Sequence, residues 1–102
     1  MLELRPNCEH CNRDLPANSR DAMICSYECT FCADCVRHAL HGVCSNCGGN
    51  FVPRPIRPQK EWRPGVCLSH QQASPNRVHR PKDIQEQQAF AERVAKVPPE
   101  AR

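Results

Sequence analysis

The residues with the most chemistry in this chain are nine cysteines, eight of them crowded between positions 8 and 47. They run Cys8-x2-Cys11, then Cys25-x3-Cys29-x2-Cys32-x2-Cys35, then Cys44-x2-Cys47. Two residues between cysteines let a tight turn aim both sulfurs at one tetrahedral ion. One such pair is weak grounds for a metal; four consecutive pairs, enough for two four-sulfur sites with nothing over, are strong grounds. Closed all-thiolate sites select zinc or iron–sulfur, and the run Cys29-x2-Cys32-x2-Cys35 lacks the Cys-Pro that completes a bacterial ferredoxin motif. The expected cofactor is therefore zinc, two ions per chain. An ion saturated by four cysteines has no open position for chemistry, and no Ser/His/Asp set or carboxylate pair stands out, so no enzyme is expected.

Metal rather than disulfide follows from the compartment. The start, Met1-Leu2-Glu3-Leu4-Arg5-Pro6-Asn7-Cys8, has no basic region followed by an apolar stretch and does not read as a secretory signal. The expected setting is the cytoplasm, where thiols stay reduced. Which four sulfurs share an ion is open at this point. A sequential scheme groups Cys8, Cys11, Cys25 and Cys29 against Cys32, Cys35, Cys44 and Cys47. An interleaved scheme groups Cys8, Cys11, Cys32 and Cys35 as site 1 and Cys25, Cys29, Cys44 and Cys47 as site 2. His10, His38 and His41 lie close in sequence and are read as surface or supporting residues.

The elements that must position these sulfurs are few. Hydrophobic residues make up 39% of the chain, but nine of them are cysteines, five are aromatic, and ten prolines thin the rest. So small a core generally needs cross-links to hold a fold. A large pocketed enzyme is excluded, as is a helical membrane protein, because no apolar run approaches about 18 residues. A short helix is expected from Ala33 to His41, stopped by Gly42. It places Cys35 near its N-terminus and Val36 and Leu40 on one face. The expected fold is a small α+β zinc-stabilised domain over residues 3–52, with one short helix and minimal β. Pro53, Pro55, Pro58 and Pro64 then break any helix, so 53–81 reads as an extended Pro/Arg-rich arm leaving the domain. In 82–97, Asp83 can cap a helix with Glu86 three residues on, and Pro98-Pro99 stop it. Its apolar stripe is Phe90, Val94 and Val97, flanked by Ile84, Ala91 and Ala95. Such a helix either packs on its own zinc domain or docks on a partner.

Two resemblances attach to these residues. The ligand order resembles a RING-type treble-clef cross-brace: C-x2-C, a loop, C-x1–3-[CH]-x2–3-C-x2-C, a second loop and C-x2-C. The string Phe31-Cys32-Ala33-Asp34-Cys35-Val36-Arg37-His38-Ala39-Leu40 is similar to the RING sequence F-C-x-x-C-[IV]-x-x-x-L. That resemblance implies the interleaved grouping, with Phe31, Val36 and Leu40 forming the core between the sites. It does not imply a ubiquitin ligase. Ligases usually carry an aliphatic residue where this chain has His10, proline where it has Ser45, and a basic residue where it has Gly48. More narrowly, Asn7-Cys8, Asp14-Leu15-Pro16, the run from Ile24 to Cys32, Asn46-Cys47-Gly48-Gly49 and Arg54-Pro55 resemble a family of short bacterial cysteine-rich proteins catalogued as a domain of unknown function. It covers residues 3–58 and implies a bacterial cytosolic protein.

Charge divides the chain, at −2 for residues 1–50 and +5 for 51–102. Two zinc–tetrathiolate sites would each add about −2, leaving only the arm and tail positive. The expected role is a non-catalytic adaptor or regulator with a protein partner, no membrane and no small-molecule substrate. The second class is nucleic-acid binding through Arg54, Arg57, Lys60 and Arg63, with Trp62 available for stacking. Cys67, outside the cluster in a polar stretch, is expected to be an incidental exposed thiol or a redox-sensitive one.

Overall fold

The first three elements of the computed structural model, which describes residues 1–102, are bounded by cysteines. Strand β1 (Ala22–Ile24) runs into Cys25. Strand β2 (Thr30–Cys32) starts after Cys29 and ends on Cys32. Helix α1 (Ala33–His38) begins at once, with Cys32 as its N-cap residue. Strands β1 and β2 form an antiparallel hairpin that pairs Ala22 with Cys32, Met23 with Phe31 and Ile24 with Thr30. A third short strand, β3 (Val52–Pro53), joins the other edge of β1, giving the order β2-β1-β3. Proline is tolerated in β3 because that strand is an edge.

The domain is thus a small antiparallel sheet with one main helix between clustered cysteines. Its core is built from Leu15, Ala22, Phe31, Val36 and Leu40 together with five cysteines. Phe31 is fully enclosed and meets Phe51 edge-on, ring centroids 5.6 Å apart at 81°, a favoured aromatic geometry.

Helix α1 stops three residues short of His41. His41 (φ 54°) and Gly42 (φ 77°) are both left-handed, and the chain reverses with Leu40 N–H donating to Cys35 O and Gly42 N–H to Val36 O. Two consecutive left-handed residues cannot continue a right-handed helix. Val36 and Leu40 nevertheless both reach the core.

Residues after Pro53 do not leave the domain as a free arm. Arg54 N–H donates to Ala22 O, Leu68 N–H to Pro58 O, Ser74 N–H to Leu4 O and Arg80 N–H to Glu9 O. The segment has little regular structure, yet it lies along the domain, because its backbone groups find distant partners there. Helix α2 (Ile84–Ala95) follows, its first turn capped by Asp83 Oδ1, which accepts from Glu86 N–H at 2.9 Å. Its buried residues are Gln87 and Ala91; Phe90 and Val94 are half-buried, whereas Ile84 and Val97 face solvent. The apolar stripe is therefore the rim of the packed face, and a glutamine stands at its centre. No helix is long and apolar enough to cross a membrane.

Candidate metal centre

Two of the cysteine turns are built alike. In the first, Cys8 N–H donates to Arg13 O and Asn12 N–H to Cys8 O. In the second, Cys44 N–H donates to Gly49 O and Gly48 N–H to Cys44 O. The residue after the second cysteine is left-handed in both, Asn12 at φ 66° and Gly48 at φ 79°. Asparagine and glycine are the residues that accept that conformation at least cost. Each turn presents two sulfurs on one side.

The remaining sulfurs come from the hairpin. Cys25 and Cys29 sit at its tip, where Cys25 N–H donates to Cys29 O and Glu28 takes φ 65°. Cys32 and Cys35 sit at its other end, across the start of α1. Three residues of extended strand span roughly 10 Å, so Cys29 and Cys32 face different sites.

The sulfurs of Cys8, Cys11, Cys32 and Cys35 all lie within 4.8 Å of one another. Those of Cys25, Cys29 and Cys44 make a second such group. Cys47 falls outside that radius and is exposed, but it lines a cleft with Cys29, Tyr27 and Asn46, and its backbone turn repeats that of Cys11. The first turn thus meets the base of the hairpin and the second turn its tip, which is the interleaved arrangement.

The donor set fits zinc. Cys11 Sγ and Cys32 Sγ are 3.8 Å apart. A tetrahedral ion with Zn–S bonds of about 2.3 Å has sulfur–sulfur edges of about 3.8 Å, whereas a disulfide would bring the atoms to about 2.05 Å. All nine cysteines are free thiols. Backbone N–H groups two residues ahead also point at the sulfurs: Tyr27 N–H to Cys25 at 3.3 Å, Asn46 N–H to Cys44 and Gly49 N–H to Cys47, both at 3.4 Å. Donors so placed stabilise thiolates, the form that binds metal. Without an ion, burial pushes the Cys8, Cys29, Cys35 and Cys44 thiols up. Burial acts upward on Cys11 too, but Arg13 N–H and the neighbouring thiols carry it below its ordinary value. These eight residues would hold two ions, and the ions would supply structural cross-links.

The first turn is fastened to the sheet by Glu9, a residue the spacing did not single out. Its N–H donates to Thr30 O at 3.0 Å, and its buried carboxylate accepts from Thr30 N–H at 2.6 Å and Arg5 Nη1 at 2.8 Å. His10 accepts Lys82 N–H on Nδ1 at 3.0 Å, so the tail covers this side of the turn; burial, then Lys82 and His79, hold its pKa below the ordinary histidine value.

The basic residues of the arm divide into two kinds. Arg54 is only 4% exposed: Nη1 donates to Arg5 O at 2.8 Å, and Nη2 to Leu15 O at 3.2 Å and Pro16 O at 2.9 Å. Arg57 donates to Leu2 O at 2.7 Å and Gln71 O at 2.8 Å. Arg54 is an internal tie, and Arg57, half-buried, is likewise committed to backbone carbonyls. Lys60, Trp62 and Arg63 remain exposed, with Lys60 Nζ 5.8 Å from the Trp62 ring centroid. Cys67 is not an exposed thiol either: it is 2% exposed, shielded by its own turn and outside the core cluster.

Comparison with known proteins finds one family and a relative over part of the chain. The family described as "Protein of unknown function (DUF1272)" matches residues 1–57. The "Uncharacterized protein R02474" of Rhizobium meliloti (strain 1021) is 66% identical over 58 residues, covering 57% of this chain and 69% of that protein. No solved structure matches. The chain belongs to the DUF1272 family.

Proposed function

We propose that this DUF1272 protein is a non-catalytic, two-zinc adaptor module of the cytoplasm, folded as a RING-type cross-brace and acting through a protein partner. The observation that carries the reading is the grouping of the cysteine sulfurs into two sets, drawn alternately from the chain. Sites of four thiolates leave zinc no exchangeable position, so the metal serves the fold. Interleaving makes each ion close a loop that contains ligands of the other, and the unit then folds as one. Nine free thiols suit a reducing compartment.

Beyond the metal, the features available for function are surfaces. Tyr27, 72% exposed, stands at the hairpin tip beside site 2, and Trp62 is 75% exposed. Aromatic side chains of this kind are frequent anchors of protein interfaces. Ligase activity is not part of the reading: the tail lies against His10, at the position where RING ligases usually present an aliphatic contact. Nucleic-acid binding is weakened by the engagement of Arg54 and Arg57 with backbone carbonyls.

The test uses the full-length chain as bait in extract of its native cell, zinc-loaded, chelator-treated, and as the zinc-loaded Tyr27→Asp variant. The expected result is two tightly held zinc ions and a partner retained by the loaded wild type and lost from the other two. A folded protein that carries no zinc sinks the metal reading; an equal set of proteins on all three baits sinks the adaptor reading.

A further inference from the structure

We propose a third divalent-metal site in this chain, formed by Glu61, Cys67 and His70, which takes a zinc-class ion reversibly and leaves one coordination position for water. The site lies beyond residue 57, outside the family match, and does not depend on the two cysteine sites.

Two turns bring the three residues together. Arg63-Pro64-Gly65-Val66 reverses the chain, with Val66 N–H donating to Arg63 O and Gly65 at φ 79°; proline then glycine at the centre suits a type II turn. The second turn, Cys67 to Gln71, closes with His70 and Gln71 N–H groups donating to Cys67 O at 3.0 and 2.9 Å. Its Cys-x2-His spacing sets a sulfur and an imidazole on one side of a tight turn, as a metal-binding turn does. The donor atoms of Glu61, Cys67 and His70 all fall within 4.8 Å of one another.

The group is also held in place. Gly65 N–H donates to Glu61 Oε2 at 3.0 Å and fixes the carboxylate. Gln71 staples the two turns, accepting Cys67 N–H on Oε1 at 3.2 Å and donating from Nε2 to Gly65 O at 2.8 Å. Supporting bonds of this sort orient metal ligands. Cys67 is nearly inaccessible, yet its sulfur packs in no apolar core: Ser69 Oγ is 3.0 Å away, and Glu61 and His70 present their donor atoms within 4.8 Å. A buried thiol beside a hydroxyl, a carboxylate and an imidazole is an odd choice for packing and a reasonable one for a ligand.

Charge and geometry agree. Thiolate, carboxylate and neutral imidazole balance a dication, and a mixed S/N/O set suits zinc and neighbouring transition metals. Glu61 Oε2 and His70 Nε2 stand 2.6 Å apart, a hydrogen bond that an ion would open to about 3.3 Å, the edge set by zinc–nitrogen and zinc–oxygen bonds of about 2.0–2.2 Å. Both side chains are about half exposed, so the ion exchanges with solvent and binds more weakly than in a buried four-sulfur site.

The full-length chain, first given two equivalents of zinc, is titrated with cobalt(II) and followed by visible absorption and native mass spectrometry. A third equivalent binds and brings new d–d bands with a single sulfur charge-transfer band. Glu61→Gln and His70→Gln weaken it by at least about tenfold, the scale lost when even a supporting partner of a metal ligand is removed. Cys67→Ala abolishes the charge-transfer band. All three variants keep two zinc ions and the wild-type circular dichroism. Saturation at two ions, or a third ion held equally by Glu61→Gln and His70→Gln, overturns the proposal. Loss of the two tight ions with the third retained would instead count against the cysteine sites.

Discussion

The side-chain amide of Gln87 donates to the main-chain carbonyl of Leu40 at 3.1 Å, and also to that of Val43 at 3.0 Å. Leu40 lies where the chain turns after α1, and Val43 directly precedes Cys44. Carbonyls at a helix end have no partner within the helix and must find one elsewhere. Leu40 O also accepts Val43 N–H at 3.2 Å within that turn, whereas for Val43 O the donor comes from the tail, 44 residues further along the chain. The same face of α2 rests on the second cysteine turn: a Cβ placed on Gly48 would stand 3.7 Å from Phe90 Cζ and 3.9 Å from Val94 Cγ1.

Gln87→Ala is therefore expected to destabilise the zinc-loaded protein by about 1–2 kcal/mol, the cost of leaving the Val43 carbonyl unpaired while Leu40 O keeps its bond from Val43 N–H. Denaturant unfolding measures it. The zinc content stays unchanged and limited proteolysis cuts first between residues 70 and 98. An unaltered midpoint would show that the amide contributes nothing to docking.

Cys32→Ser and Cys44→Ser each remove one ligand, from site 1 and site 2 respectively. A structural zinc in small peptides contributes about 10–16 kcal/mol, more than so small a core can replace. With interleaved sites each variant should lose tertiary structure throughout residues 3–52, seen as collapse of dispersion in NMR spectra. Survival of a folded half in either variant would contradict interleaving.

Metal loading should depend steeply on pH. Burial keeps Cys8 and Cys35 in site 1, and Cys29 and Cys44 in site 2, protonated above the ordinary thiol range when no ion is present. Binding then releases at least two protons per site, and apparent zinc affinity rises by about two or more powers of ten per pH unit below that range. The sign is that acid favours the protonated thiols and the metal-free chain, so loaded stability falls as pH falls. Zinc competition with a chromophoric chelator between pH 6 and 8 measures the slope. A flat profile would mean that thiolates are already formed before the ion arrives.

Arg54 and Arg63 should behave oppositely. Arg54→Ala leaves the carbonyls of Arg5, Leu15 and Pro16 without their charged donor, at a cost of about 2–3 kcal/mol. Arg63→Ala, on the surface, shifts stability by less than about 0.5 kcal/mol. Binding of the wild type to single-stranded and duplex nucleic acid across a salt series should be weak and nearly flat. A steep salt dependence relieved by Arg63→Ala would restore the arm as a phosphate-binding surface.

Much of the tail was invisible in the residue pattern. Arg54 follows a proline and precedes another, which marks extended backbone and gives no hint that the side chain turns inward. Cys67 lies in a polar stretch with no periodicity, and nothing local says that its own turn will cover it. Gln87 sits on a helix whose apolar residues suggest a packed face of Phe90, Val94 and Val97. The docked face is instead centred on an amide, because the surface it meets offers carbonyls.

Local chemistry alone carried the rest: cysteine spacing marks turns able to aim paired sulfurs, Asp83 with Glu86 marks a helix start, and Val36 with Leu40 marks a buried face. Those signals are short in range, set by the geometry of a turn or a helix, and so legible in neighbouring residues. Which turn meets which end of the hairpin, and where the tail lies, depended on contacts between segments far apart in the chain. Many of those contacts are hydrogen bonds to main-chain N–H and C=O groups, which nearly every residue possesses, so no residue type announces them.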